Sequence, residues 1–174
     1  MSEERTLSRR TVFRGQMVNL HVDTVVKPDG SRATREIVEH ADCVAIIAVD
    51  KNGEILLVKQ YRQPAGKELL EIPAGGIEPG EAPEDAVRRE MQEETGFFPG
   101  EVKRLGGFYS APGYATEYLG LYLARGLTPR PLVAEDTDEI AVVRVKSAEV
   151  PGLIQSGRIE DAKSIAGLLL YLRG

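Results

Sequence analysis

The chain has 174 residues, 42% of them hydrophobic and 28% charged, which fits one globular domain and argues against disordered, collagen-like and coiled-coil chains. Its 27 acidic and 22 basic residues give a net charge of −5, the wrong sign for gripping nucleic acid, and a single cysteine, Cys43, excludes an internal disulfide. No apolar run approaches the ~20 residues that span a bilayer, and the opening MSEERTLSRR lacks the apolar core of a signal peptide, so a cytoplasmic setting is expected, with neither nucleic acid nor membrane as partner.

In chain order, Val18 to Val26 alternates apolar and polar residues as a strand does, and Lys27-Pro28-Asp29-Gly30 is a turn from which 33–39 returns. Residues 44–49 and 55–58 flank Asp50-Lys51-Asn52-Gly53, where Asn-Gly signals a hairpin because both residues tolerate a left-handed backbone. After Pro79-Gly80 the pattern turns helical from about Pro83 to Thr95, with acidic Glu84 and Asp85 in the first turn and Gly96 as the stop. Strands are expected at 102–110, 117–124 and 140–146. Helices are expected at 148–156 and 161–172, the second with Ile165, Leu168, Leu169 and Leu172 on one face. Mostly strands, with one helix in mid-chain and one or two at the end, this order is α+β rather than alternating βαβ.

The chemistry concentrates on the central helix. Glu90, Glu93 and Glu94 stand at i, i+3 and i+4 and so share one face, where like charges repel by a few tenths of a kcal/mol per pair. Two explanations compete: a solvated acidic face beside Arg88 and Arg89, or a site for a hard divalent cation, which takes oxygen ligands and reverses the sign of that repulsion.

The surrounding spacing favours the second. Gly75, five residues, Glu81, seven residues, then Arg89-Glu90-Met91-Gln92-Glu93-Glu94-Thr95-Gly96-Phe97 resembles the Nudix box, GX5EX7REUXEEXGU, with every fixed position filled. Pro112, 15 residues past Phe97, resembles the proline that marks the ADP-ribose pyrophosphatase group of that family. Arg35-Glu-Ile-Val-Glu-His40, Gln60-Tyr-Arg-Gln-Pro64 and Leu69-Leu-Glu-Ile-Pro-Ala-Gly75 look like the same group, and the similarity runs over about residues 12–170. The resemblance implies an α/β/α sandwich around a mixed sheet and a homodimer with exchanged N-terminal strands. The chain is then one domain, 1–174, with dimerisation strands over about 1–42 and a catalytic core over 43–174.

The same resemblance implies hydrolysis of a nucleoside diphosphate derivative by water attack on phosphorus. Glu90, Glu94 and the Ala74 carbonyl would hold Mg²⁺ or Mn²⁺, Glu93 would assist, and Arg89 would anchor the cluster by an ion pair. Glu81 fits either a ligand or a helix cap. Arg62 is expected to contact phosphate or base, Arg35 to reach the nucleotide from the partner subunit, and Glu117 to accept a ribose hydroxyl, beside the marker Pro112. The general base is expected on the acidic loop 135–139, at Asp136 first and Glu139 next; relatives carry Glu where Asp136 stands. His21 and His40 lack metal-ligand spacing and are assigned packing or surface roles, and Cys43 that of a small buried residue. ADP-ribose is the expected substrate, giving AMP and ribose 5-phosphate. Another nucleotide sugar or a dinucleotide comes next, and a non-catalytic nucleotide-binding module last.

Overall fold

The structure, a computed structural model, describes residues 3–133 and 140–173. They fall into two compact units, Met1–Asp42 with Tyr109–Tyr118, and Cys43–Phe108 with Leu119–Gly174.

The first unit is an antiparallel meander of β1 (Arg5–Arg14), β2 (Asn19–Val26) and β3 (Arg32–Glu39). β1 is exposed along its whole length, so it carries none of the alternation by which the sequence reveals β2. Polar cross-strand pairs hold it instead. Arg9 donates both arms of its guanidinium to the buried carboxylate of Asp23, its partner in register, at 2.8 and 2.9 Å. His21, also buried, sits 3.2 Å from the Thr11 hydroxyl and 3.0 Å from Glu39, so of the packing and surface roles the sequence leaves open it takes the first. The turn between β2 and β3 closes through Gly30, at φ +83°, whose N–H donates to Lys27.

The second unit is a mixed seven-stranded sheet. Its main path runs β10 (Ala141–Lys146), β5 (Glu54–Arg62), β4 (Cys43–Val49), β9 (Tyr118–Pro129), β8 (Phe97–Tyr109), with β6 (Lys67–Glu71) on β5 and β7 (Ala74–Gly76) on β4. β4 runs parallel to β9 and antiparallel to β5 and β7.

All seven residues of β4 are buried, which a strand achieves only when both faces of its sheet are covered. Cys43, Ala45, Ile47 and Val49 point into one core with Ile72, Val150, Ile159 and Leu168. Val44, Ile46 and Ala48 point into the other with Ala86, Val87, Met91 and Tyr122. The first core packs beneath α2 (Val150–Gln155) and α3 (Ala162–Arg173), the second beneath α1 (Pro83–Glu90). The result is the expected α/β/α sandwich.

The β4–β5 hairpin closes on the expected Asp50–Gly53 turn, yet only two residue pairs join the strands. Beyond them β4 pairs with β7 and β5 with β6, and the change of partner falls at Pro73, which has no N–H to give a ladder. This split carries Ala74 and Gly75 to the sheet edge beneath α1.

Three expectations need correction. Strands β6 and β7, too short and irregular for a periodicity argument, occupy residues that the sequence reading leaves without secondary structure. The central helix is α-helical only to Glu90, and Met91–Thr95 form a π turn before Gly96 stops it at φ +77°. The inner face of α3 is Ser164, Gly167 and Leu168, with Ile165 and Tyr171 beside them, while Leu169 and Leu172 are exposed. Gly167 sets that rotation: a Cβ there would lie 2.9 Å from Leu121 and 3.1 Å from Ile72, so the bare backbone is the face that approaches the sheet. Replacing Leu168, fully buried, with Ala is expected to cost about 2–5 kcal/mol in denaturant unfolding. Leu169→Ala, at a side chain 44% exposed, is expected to cost well under about 1 kcal/mol; equal losses would contradict this orientation of α3.

Candidate active site

Helix α1 opens at Pro83 with Glu84 and Asp85 in its first turn and closes with Arg88 and Arg89 in its last, the charge order its dipole favours. Ala86 and Val87 bury its inner stripe in the sheet, and Glu90, three and four residues on, follows them inward. Packing therefore forces a carboxylate into a nearly dry place.

Arg89 is what makes that tolerable. Its Nε and Nη2 donate to the two oxygens of Glu81 at 2.9 and 3.0 Å, and its Nη1 to Glu90 at 2.5 Å and Glu93 at 3.1 Å. Nη2 also donates to the Gly76 carbonyl at 2.8 Å. All five guanidinium N–H groups are thus engaged. Glu81 makes no helix-capping bond to α1: both its oxygens take Arg89, one of them also accepting the Glu78 N–H at 3.0 Å, and the Arg89 pairing holds its carboxyl below the usual range.

Glu94 lies on the π turn, where its carboxylate accepts the Ala74 N–H at 3.0 Å. Burial, reinforced by the neighbouring charge of Glu90, pushes its carboxyl up to about 8, against the pull of the Ala74 bond. Burial raises Glu90 as well, with Glu93 and Glu81 adding to the shift and Arg89 opposing it. Both shifts are set first by burial, which disfavours the charged form. The carboxylate oxygens of Glu90 and Glu94 form an all-oxygen donor set suited to a hard divalent cation, and Ala74, whose N–H meets Glu94, lies beside them. The backbone makes room for it: a Cβ on Gly75 would fall 2.1 Å from the Glu90 carboxylate carbon. The residues present fit a divalent metal.

The sequence-predicted Ala74, Glu90, Glu93 and Glu94 are therefore brought together. Arg62, in the same unit, is fastened by Nε and Nη2 to the buried Glu71 at 2.9 and 2.8 Å. Burial drives the Glu71 carboxyl upward, but Arg62 and Lys163 outweigh it and hold it below its ordinary range. Sequence reading missed Glu71 and Lys163. The available signal was a lone acid in the apolar run Leu69-Leu-Glu-Ile72.

Within the N-terminal unit, Arg35 is paired with Glu4 at 3.0 and 2.5 Å and donates to the Thr34 carbonyl. Glu117 lies 3.7 Å from His40, and Pro112 is exposed on a turn closed by the Tyr114 N–H on Ala111. Asp136 and Glu139 lie outside the described residues.

Comparison with known proteins adds two family matches, a NUDIX domain over residues 39–168 and a nucleoside diphosphate sugar hydrolase N-terminal domain over residues 4–38. An ADP-ribose pyrophosphatase of Bacillus subtilis is 38% identical, over 98% of this chain and 93% of that protein. A methanol dehydrogenase activator of Bacillus methanolicus is 39% identical, over 94% and 89%. A crystal structure of an ADP compounds hydrolase superposes with a TM-score of 0.90, at 22% identity, covering 99% of this chain and 94% of that one, a likeness of fold.

Gly75→Ala is expected to fold normally, because the clash falls on the movable end of the Glu90 side chain. It should nonetheless weaken Mn²⁺ binding, measured by calorimetry, by at least ~10-fold, the scale on which altered support of a metal ligand acts. Unchanged affinity would separate Gly75 from the metal site.

Proposed function

The chain belongs to the Nudix family, and from that premise we propose that it is a pyrophosphatase that hydrolyses ADP-ribose to AMP and ribose 5-phosphate with Mg²⁺ or Mn²⁺. The observation that carries this reading is the complete carboxylate set, Glu81, Glu90, Glu93 and Glu94, ordered around Arg89 and Ala74. The name of the Bacillus subtilis relative supports the choice of substrate, and the N-terminal family match supports a nucleoside diphosphate sugar more broadly.

In this reading Glu90, Glu94 and the Ala74 carbonyl hold the cation and Glu93 assists. A divalent cation bound there neutralises the pyrophosphate and lowers the pKa of water. The chain's own residues supply orientation. Arg89 keeps Glu90 and Glu93 from springing apart, and the Ala74 N–H fixes one oxygen of Glu94. Arg62 binds phosphate, Glu117 takes a ribose hydroxyl, and Pro112 shapes the loop beside it. The acidic loop supplies the base, Asp136 before Glu139, which removes the proton of the attacking water. The N-terminal strands, about residues 1–42, form the contact of a homodimer in which Arg35 reaches the nucleotide of the partner subunit; a fully active monomer in light scattering would overturn this part.

Because one relative is named for its effect on another enzyme, nucleotide binding without turnover is the reading to set against catalysis. The unbroken carboxylate set favours catalysis. Purified protein is expected to release AMP and ribose 5-phosphate in equal amounts, and EDTA should abolish the release. Glu90→Gln and Glu94→Gln should each lower kcat by at least ~10²-fold, and Asp136→Asn should lower kcat while leaving KM nearly unchanged. At least tenfold higher kcat/KM on another nucleotide sugar would move the assignment to that substrate, and binding without products would replace catalysis by sensing.

A further inference from the structure

One buried charge cluster of the second unit lies outside the box. Glu71 is 1% exposed at the end of β6. Its Oε1 accepts Arg62 Nε, and its Oε2 accepts both Arg62 Nη2 and the ammonium of Lys163 on α3. Lys163, 15% exposed, is steadied in turn by Asp161 at 3.0 Å. Asp161 also caps α3, accepting the N–H and the hydroxyl of Ser164 at 3.0 and 2.6 Å, and the Ser164 hydroxyl accepts the Ile72 N–H at 2.8 Å. Residues 92 apart in sequence are thereby fastened at two adjoining points of one strand end.

Buried ion pairs seldom add net stability, because desolvation costs about as much as attraction returns. A cluster this closely matched therefore invites a reason besides folding. Among its members Arg62 has the most exposed side chain, at 39%, and its Nη1 has no hydrogen-bond partner among the described residues. Arg62 and Lys163 also both lie near enough to Glu94 to act on its charge. The arrangement is a guanidinium held rigidly by one edge with the other left for a ligand, beside the carboxylates that take the metal. A planar donor fork of this kind suits phosphate oxygens.

We propose that Lys163 is a positioning residue for phosphate recognition: by holding Glu71 it fixes, through that carboxylate, the orientation in which Arg62 meets the pyrophosphate. Lys163 itself touches no substrate. Without it the Glu71 carboxylate swings on a single partner and Arg62 moves with it. This role rests on the reading of the site as a nucleoside diphosphate hydrolase.

The test is a double-mutant cycle on the full chain with Mg²⁺ and ADP-ribose. Lys163→Gln is expected to raise KM at least about fivefold with kcat within about twofold, and Lys163→Arg to restore KM. Added to Arg62→Gln, Lys163→Gln should change KM by less than about twofold, because the residue it positions is gone. An unchanged KM in Lys163→Gln, even with a lower melting temperature, or effects that multiply in the double variant, would overturn the proposal. Should Lys163→Gln not fold, Lys163→Met with Asp161→Asn keeps a helix cap and the charge balance and is read in the same way. If wild-type protein turns over no nucleoside diphosphate compound, the hydrolase reading fails. The same cycle is then read from calorimetric affinity for inorganic pyrophosphate, where additivity still overturns the coupling and non-additivity still supports it.

Discussion

One guanidinium carries the site. Arg89 gives its five N–H groups to three carboxylates and one carbonyl, and those acceptors come from the loop before α1, from α1, from the π turn and from β7. Without it, Glu81, Glu90 and Glu93 would be neighbouring negative charges in a poorly hydrated corner, and each would relax toward solvent or take up a proton. The interaction is a matter of geometry as much as charge, since an ammonium offers three donors and no plane.

That arrangement depends on the sheet beneath it. The burial of β4 on both faces fixes α1 on one side through Ala86, Val87 and Met91, and the helix repeat then brings Glu90 in behind them. The change of pairing partner at Pro73 brings Ala74 and Gly75 to meet it, one supplying an N–H to Glu94 and the other the absence of a side chain beside Glu90. Core packing and the carboxylate cluster are consequently one structure: the stripe that folds the helix continues into the clustered glutamates.

Much of this could be read from local sequence, because the relevant signals are local. Asn52-Gly53 marks its hairpin, Gly96 its helix stop, and the Glu90, Glu93 and Glu94 spacing its acidic face. What escaped depends on distant partners. β1 is held by Arg9 on Asp23 rather than by an apolar face, so it has no period to detect. The inner face of α3 follows a glycine fitting against Ile47, Ile72 and Leu121, and an apolar-stripe argument selects Leu169 and Leu172 instead. The Glu71 and Lys163 pair is separated by 92 residues; Glu71 is marked only as a lone acid in an apolar run, and Lys163 does not differ from an ordinary surface charge. The opening of the helix into a π turn over Met91–Thr95 likewise has no mark in residue type.

Arg89 aligns the carboxylates by the directions of its five donors, not by its charge alone. Arg89→Lys keeps the charge and removes that geometry, so the kcat for ADP-ribose hydrolysis at saturating Mg²⁺ tests it most directly. The prediction is a fall of at least ~10²-fold in a protein that remains folded, the scale of losing preorganised electrostatic stabilisation. A lysine variant within a few-fold of wild type would mean that positive charge alone suffices, and would contradict the account.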